Sequence, residues 1–190
     1  MRPYGLTIDY SYDFAGRTAS VVDPSGRIDY TYGTSGCTSC GGTDLPQTVT
    51  RTDSATGATE NMSLAYDGSM TTGVTFTGAV NGSVNWTFDN NFWITSESVN
   101  GDVVNFTYDN DGRTKSVGAM TITRNNQTGF LTGTTLGSIT DSYAYSTFGE
   151  TSSYNATVSG ASVFDVQYTR DDLGRIVTKT ETVGGGYHTI

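Results

Sequence analysis

One short motif recurs along the chain and constrains its fold more than any other feature. It consists of an aromatic residue, an aspartate, two variable residues, a glycine and an arginine, as in Tyr108-Asp109-Asn110-Asp111-Gly112-Arg113. A type I β-turn favours aspartate at its first position, where the carboxylate accepts backbone N–H groups, and glycine at its fourth, where φ is positive. The motif therefore predicts a β-hairpin with a three-residue connection and a glycine bulge.

The same motif returns in complete and reduced copies. Residues 12–17 are a complete copy, Arg170 replaces the aromatic residue in 170–175, and 23–27 keep the turn and the arginine. Weaker copies begin at Asp67 and Asp89, at Asn125 and at Ser146. A period near twenty residues corresponds to two short strands with their turns, and repeats of that kind stack on a continuous core. The predicted turn residues are Tyr12, Asp13, Gly16, Arg17, Asp23, Gly26, Arg27, Tyr108, Asp109, Gly112, Arg113, Asp171, Gly174 and Arg175.

On these residues the chain resembles the YD-repeat (Rhs) family, named for its Tyr-Asp pair, over nearly its whole length. Members are large secreted or cell-surface proteins of bacteria, with teneurins as animal relatives. Their repeats coil into a hollow β-shell, which in bacterial toxins encloses a C-terminal toxic domain, and the repeats themselves are not catalytic. The resemblance implies an all-β fold of antiparallel hairpin repeats in a curved, twisted sheet, like one strip of such a shell.

The composition favours a thin β-sheet over disorder. Hydrophobic residues make up 35% of the chain, which is low for a compact core, while 24 glycines and 12 tyrosines suit short strands between many turns. Disorder is the rival interpretation of low hydrophobicity, but the regular placement of aromatic residues argues against it. No stretch has apolar residues at helical spacing, so almost no helix is expected.

The charge and the start of the chain bear on its partners and location. The net charge is −9 and basic residues form no cluster, which argues against binding to nucleic acid or to anionic membranes. No segment approaches the roughly 18 apolar residues of a membrane span, and no secretory signal opens the chain. Because the first residues run straight into a predicted strand, we expect a fragment of a longer extracellular or cell-surface protein.

The expected organisation is one continuous repeat domain with an irregular loop near its start. Two Asn-Gly pairs, Asn81-Gly82 and Asn100-Gly101, each predict a two-residue hairpin, because both residue types tolerate positive φ in a type I′ turn. The predicted segments are the first hairpins at 1–32, a Gly/Ser/Cys loop at 33–46, the main repeat sheet at 47–183 and a frayed tail at 184–190.

Cys37 and Cys40 form the sharpest local chemical pattern. Structural zinc needs four ligands, usually from two such pairs, and a redox Cys-x-x-Cys normally begins a helix. The sequence offers neither a second pair nor a helix there. A disulfide or two structural thiols is therefore favoured, with half of a metal site completed elsewhere and redox activity as alternatives. The sequence predicts no cofactor and no complete metal site.

Two turn sequences resemble motifs of known chemistry, but their role in forming a turn already explains the residues present. Asp109-Asn110-Asp111-Gly112 resembles the start of a calcium loop, but the bidentate glutamate of an EF-hand is absent. Asp23-Pro24 is similar to the aspartyl self-cleavage motif of toxin-bearing family members. It lies near the N-terminus, however, and continues like an ordinary repeat. Self-processing is therefore not expected.

Enzymatic activity is not predicted. The one histidine, His188, lies at the far end of the chain, and neither a Gly-x-Ser-x-Gly elbow nor a phosphate-binding glycine loop with lysine is present. A pair of carboxylates for glycoside cleavage stays an open alternative among the 19 acidic residues, although most of these occupy turn positions.

The predicted function is structural, a segment of an extracellular shell that in the family often encloses a toxin or effector domain. Two alternatives stay open: a cell-surface adhesin or carbohydrate-binding repeat module, and a self-assembling extracellular filament. Unpaired sheet edges predict self-association or pairing with neighbouring repeats of the parent chain. Aromatic rings can stack on glycans, although packing between strands is the favoured interpretation. The aromatic candidates are Trp86, Trp93, Tyr143, Tyr145 and Tyr154.

Overall fold

The computed structural model describes residues 7–33, 44–184 and 186–189, and within them the chain is all-β. Its strands are joined as antiparallel hairpins, which confirms the predicted fold class. None of these residues forms a helix long and apolar enough to cross a membrane. The chain divides into two compact units, Met1–Val104 and Asn105–Ile190.

The first unit is a meander, in which each strand pairs antiparallel with the next strand along the chain. Short turns favour this arrangement because two antiparallel strands need only a few connecting residues. The strands are β1 (Asp9–Tyr12), β2 (Thr18–Asp23), β3 (Gly26–Tyr32), β4 (Pro46–Asp53), β5 (Thr59–Asp67), β6 (Met70–Thr77), β7 (Gly82–Phe88) and β8 (Ile94–Val99).

The second unit is a meander of the same kind. The division between the units falls inside its first strand, between Val104 and Asn105. The strands are β9 (Asp102–Tyr108), β10 (Thr114–Val117), β11 (Met120–Arg124), β12 (Leu131–Leu136), β13 (Ile139–Tyr145), β14 (Thr151–Val158), β15 (Ala161–Arg170), β16 (Ile176–Val183) and β17 (Gly186–Thr189).

The turns of each meander lie alternately at the two ends of its strands, because successive strands run in opposite directions. In the first unit one end carries the connections after β1, β3, β5 and β7. In the second unit one end carries the connections after β9, β11, β13 and β15. In each unit we call this end of the strands the repeat edge, since the complete copies of the motif lie there, and the opposite edge carries the connections after the other strands.

Each sheet has one apolar face and one hydroxyl-rich face, as strand alternation requires. In the second unit Tyr143 lies opposite Tyr154, which lies opposite Val166, whereas Ser142 lies opposite Asn155 on the other face. The first unit repeats the pattern along successive strands. There the apolar row is Tyr30, Val49, Met62 and Phe76, and the hydroxyl row is Thr31, Thr48, Ser63 and Thr75.

The hydrophobic core is thin. Among the described large apolar residues, only Tyr66 and Val166 are almost fully buried, at 6% and 4% exposure. A single sheet layer has no second layer against which to bury its apolar face. The turns and the contacts between hairpins must therefore carry much of the structural specificity.

Each hairpin of the repeat edge contains one extra residue on its returning strand. In the β9–β10 hairpin Tyr108 pairs with Thr114 and Thr107 with Ser116, so Lys115 has no partner. Such a bulge increases the local twist and redirects the backbone. The same shift occurs in the hairpins β1–β2, β3–β4, β5–β6, β7–β8, β11–β12, β13–β14 and β15–β16.

The two Asn-Gly predictions have different outcomes. Asn100 and Gly101 have φ of 53° and 94°, so the predicted two-residue hairpin is confirmed. The prediction for Asn81-Gly82 is wrong, because Gly82 already belongs to β7. The side chain of Asn81 accepts the Gly78 N–H at 3.2 Å and donates to the Gly78 carbonyl at 3.1 Å. These bonds stabilise a four-residue loop in place of the type I′ turn.

The cysteine pair lies outside the residues that the structure describes. Cys37 and Cys40 belong to the segment 34–43. The interpretation of this pair as a disulfide or structural thiols therefore stays a prediction.

Candidate assembly site at the repeat turns

The turn after β9 shows the motif in full. The Oδ1 atom of Asp109 accepts the backbone N–H groups of Asp111 and Arg113, both at 2.9 Å. Its Oδ2 atom accepts the Nε–H of Arg113 at 2.9 Å, and the Nη2 of this arginine pairs with Asp111. Gly112 donates its N–H to the Asp109 carbonyl at 3.0 Å and has a φ of 78°. One carboxylate thus fixes both the turn backbone and the arginine.

Two other turns of the repeat edge reproduce this geometry. Asp13 accepts two backbone N–H groups at 2.9 Å and the Nε–H of Arg17 at 2.7 Å. Asp171 accepts two backbone N–H groups at 3.0 Å and the Nε–H of Arg175 at 2.8 Å. The turn glycines have φ of 80° and 78°. In all three turns the structure brings together the aspartate, glycine and arginine that the sequence pattern groups.

Two reduced copies keep the backbone of the turn with different side chains. Asp89 accepts two N–H groups at 2.8 and 3.0 Å, but Phe92 stands in the glycine position at a φ of 64° and Trp93 in the arginine position. Ser146 replaces the carboxylate with a hydroxyl, which accepts two N–H groups at 3.2 and 3.3 Å. The turn conformation therefore tolerates replacement of the arginine, the glycine or the aspartate.

The turn at Asp23 differs from the predicted copy. Asp23 and Gly26 face each other across a two-residue loop at the opposite edge, and Gly26 is not among the glycines with positive φ. Asp23 accepts the N–H of Ser25 at 2.7 Å, while Arg27 pairs with Asp29. Because side chains alternate along a strand, Arg27 lies on the other face from its neighbour Gly26 and from the aspartate opposite it.

At several hairpins of the repeat edge, a side chain at the end of the outgoing strand, where the motif has its aromatic residue, links the hairpin to the preceding one. The hydroxyl of Tyr32 donates to the Thr18 carbonyl at 2.9 Å, and the hydroxyl of Tyr145 donates to the Leu131 carbonyl at 2.8 Å. Each acceptor is the first residue of a returning strand and lies directly before the extra residue of the bulge. We call this hydrogen bond the latch.

Two more copies define what the latch requires. The hydroxyl of Tyr66 donates to the Pro46 carbonyl at 2.7 Å. Arg170, which replaces the aromatic residue in its copy of the motif, donates from Nη1 to the Thr151 carbonyl at 2.9 Å, again at the start of a returning strand. A long side chain with a terminal donor is the shared property. This explains why arginine can stand in the tyrosine position.

In three turns the residue after the turn glycine makes a second link to the neighbouring hairpin, since it contacts the latch residue of the next turn. The chemistry of this contact differs at each step: cation–π, aromatic or ionic. The pairs are Arg17 at 4.3 Å from the Tyr32 ring centroid, Phe130 at 4.9 Å between centroids from Tyr145, and Glu150 at 3.5 Å from Arg170.

The glycine of the next turn leaves room for the same residue. Glycine is therefore required at these positions both for its positive φ and for its missing side chain. A Cβ at Gly129 would lie 2.1 Å from Arg113 Nη1, one at Gly149 would lie 2.9 Å from the Phe130 ring, and one at Gly174 would lie 2.7 Å from Glu150 Oε1.

The turn contacts shift the carboxylates toward their ionised form. The hydrogen bond from the Arg17 side chain lowers the pKa of Asp13 below its ordinary 3.8, and the Arg175 side chain does the same for Asp171. For Asp109 the largest cause of the lowered pKa is the backbone N–H of Arg113. Hydrogen bonds to the charged form favour that form. The turns are therefore held by carboxylates rather than carboxylic acids.

The aromatic residues that the sequence offered as glycan contacts are half-buried in the sheets. They meet neighbouring side chains, as cross-strand packing requires. Tyr143 lies 4.8 Å from Tyr154 between ring centroids, Tyr145 forms a latch, Trp86 donates its indole N–H to Glu97 at 3.1 Å, and Trp93 occupies the arginine position of its turn.

The bulges, the latch and the contact with the next turn define a β-repeat protein whose successive hairpins are joined at one edge. A family model described as the teneurin YD-shell matches residues 2–189. The chain belongs to the teneurin YD-shell family, and the resemblance inferred from its motif is confirmed. Because this is a structural shell family, the chain is a structural segment of a shell.

Two solved structures match the chain at low sequence identity. The crystal structure of TcdB2–TccC3–Cdc42 matches with a TM-score of 0.49 and 11% identity, over 93% of this chain and 11% of that chain. A porin-like protein from Bacteroides uniformis matches with a TM-score of 0.23 and 10% identity, over 97% of this chain and 87% of that one. A search of curated proteins finds no match.

Acid should destabilise the turns. The folded-state pKa of Asp109 lies below its ordinary value of 3.8, so its stabilising effect is present above that value and is lost as pH falls through the folded pKa. We expect the free energy of unfolding, measured with denaturant at successive pH values, to fall below about pH 4. Asp109→Asn should weaken this dependence. An identical acid dependence in the variant and the parent would contradict the role given to this carboxylate.

The latch can be tested with one hydroxyl. Tyr145→Phe keeps the ring but leaves the Leu131 carbonyl without its donor, so we expect a loss of about 1 kcal/mol in the free energy of unfolding. Tyr143→Phe is the matched control, because Tyr143 is half-buried on the same strand and its hydroxyl has no hydrogen-bond partner among the described residues. Equal losses in the two variants would show that the latch contributes nothing specific.

Proposed function

We propose that the chain forms part of the wall of a secreted, extracellular shell that encloses a cargo domain of its parent protein and catalyses no reaction. The observation that carries the proposal is the combination of a thin core with strong links along one edge. Only two large apolar side chains of the described residues are almost fully buried. Latch bonds among the described residues nevertheless join successive hairpins at 2.7–2.9 Å. A sheet built in this way gains its order from neighbouring hairpins.

The two faces of each sheet support the same proposal. The hydroxyl-rich face can remain hydrated, and its threonines satisfy one another across strands, as in Thr140 and Thr157 at 2.7 Å. The other face presents half-buried aromatic and aliphatic side chains, which gain free energy when a further layer covers them. A cargo domain would supply that layer. The family often uses its shells in this way, and we extend that use to this chain.

Pairing with neighbouring repeats should appear as concentration-dependent association. We expect light scattering to show growth as the protein concentration rises, with rings, shells or fibres in negative-stain images. Tyr10→Lys should reduce this growth, because Tyr10 is 58% exposed on the first strand of its meander and lysine on an edge strand opposes strand addition. Thr135→Lys, at an exposed position inside the second meander, is the charge-matched control.

The outcome separates the structural possibilities. Association that Tyr10→Lys weakens and Thr135→Lys does not would support pairing of strands at the sheet edge. Fibres as the sole product would favour the filament alternative. A strict monomer at every concentration would overturn the proposed self-association.

A carbohydrate-binding module is the second candidate, and one surface of the second unit favours it. A shallow groove of about 490 Å³ lies on the apolar face. Rings suit stacking on sugars, and a cation can orient a polar ligand. The groove is lined by Tyr143, Tyr154, Phe164, Tyr168 and Arg170, together with Thr151, Val166 and Ile176.

A glycan array followed by titration tests this candidate. We expect Tyr154→Ala to weaken binding of any glycan found on the array at least tenfold, since its ring lies between those of Tyr143 and Phe164. Phe148→Ala is the matched control, because this ring is 88% exposed and lies outside the groove. Absence of glycan binding across the array would remove the candidate.

A further inference from the structure

The turn after β7 lacks the arginine that its aspartate binds in the other turns. Asp89 Oδ1 accepts the N–H groups of Asn91 and Trp93 at 2.8 and 3.0 Å, as its counterparts do. In the three complete turns the second carboxylate oxygen accepts an arginine Nε–H at 2.7–2.9 Å. Trp93 occupies that position here. The turn is therefore built around a carboxylate to which its own sequence supplies no guanidinium.

A groove of about 400 Å³ adjoins this carboxylate within the first unit. It lies between the turn after β5 and the turn after β7, and it brings Asp67 near Asp89. Within 7–33, 44–184 and 186–189, neither carboxylate takes part in an ion pair. The apolar walls of the groove are Met70, Trp86, Phe88 and Phe92.

Phe92 has an unusual conformation for its residue type. It adopts a φ of 64° at a position where the complete turns place glycine, and its side chain remains 72% exposed. A bulky side chain at positive φ is strained, and such residues concentrate at sites where their side chain has a role. Phe92 thus places an exposed aromatic ring on the lining of the acidic groove rather than in the core.

The indole of Trp86 is held in a fixed orientation on the groove wall. Its N–H donates to Glu97 at 3.1 Å, on the neighbouring strand β8. An indole face is the best aromatic partner for a cation, and guanidinium groups also stack on it as planar groups. The groove therefore combines two carboxylates with an oriented ring and an exposed ring.

We propose that this groove binds an arginine side chain of a polypeptide partner. A guanidinium would donate to Asp89 Oδ2, as the turn arginines do in the complete copies, and would stack between the Trp86 and Phe92 rings. The chain already pairs these two interactions elsewhere, because Arg17 binds Asp13 while lying 4.3 Å from the Tyr32 ring centroid. The net charge of −9 favours the approach of a basic segment.

An organic cation fits the groove better than a metal ion. Groups of three or more metal-ligating side chains are absent from the part of the chain that the structure describes. Calcium requires six to eight oxygen ligands, whereas a guanidinium needs only one or two acceptors and gains from aromatic walls. The proposal concerns a surface of the first unit and stands independently of the proposed shell function.

Calorimetric titration with blocked tripeptides tests the proposal. We expect acetyl-Gly-Arg-Gly-amide to bind, and the peptide with citrulline in place of arginine to bind at least tenfold more weakly, because citrulline keeps the shape and loses the charge. A lysine peptide should fall between them, since ammonium lacks the planar fork. The indole N–H signal of Trp86 in a two-dimensional NMR spectrum should shift with the arginine peptide.

Three variants of the full chain complete the test. Asp89→Asn should weaken arginine binding at least tenfold, while the amide oxygen can still accept the turn N–H groups. Trp93→Arg restores the arginine of the motif, so its own guanidinium should occupy Asp89 Oδ2 and abolish peptide binding. Asp172→Asn removes one exposed charge from the second unit and should leave binding unchanged.

The result can overturn the proposal in three ways. Equal affinity for the arginine and citrulline peptides would exclude recognition of the guanidinium. Undiminished binding by a folded Trp93→Arg variant would place the site elsewhere, and no binding at millimolar peptide would exclude the site altogether. None of these outcomes bears on the association measured by light scattering, so failure of this proposal is distinguishable from failure of the shell function.

Discussion

The rest of the structure depends on the hydrogen bonds that fix the backbone of each repeat turn, which in the complete turns are accepted by the aspartate carboxylate. With one oxygen it accepts two backbone N–H groups of its own turn, and with the other it accepts the arginine side chain, as at Asp109. All partners lie within four residues, so the bond does not require distant parts of the chain to meet first. A local contact of this kind fixes the length of the connection and hence the register of the two strands.

The register of each hairpin then sets the position of the carbonyl that can bond to the next hairpin. The bulge after each turn adds a residue to the returning strand. In several hairpins the carbonyl just before this residue accepts the latch from the following turn, as Leu131 does from Tyr145. Arginine achieves the same bond at Arg170. The latch therefore depends on the reach of the side chain and its terminal donor, and the ring adds packing where it is present.

The sequence predicts the local features of this structure better than the links between repeats. The turns at Asp13, Asp109 and Asp171 follow from residue preferences of four consecutive positions. The latch does not, because a tyrosine at the start of a turn gives no indication of which carbonyl its hydroxyl reaches. The prediction for Asn81-Gly82 fails for a related reason: the amide of Asn81 bonds back to Gly78, a contact that competes with the turn preference of the pair.

The repeat tolerates side-chain replacement because its backbone geometry is over-determined. At Asp89 the two N–H bonds and the cross-turn bond from Phe92 N–H to the aspartate carbonyl at 3.0 Å remain, although both glycine and arginine are gone. A turn that keeps its shape without its arginine leaves one carboxylate oxygen available to another donor. The repeated turns thus stabilise the sheet, and a copy that departs from the pattern provides a carboxylate oxygen that can bind a partner.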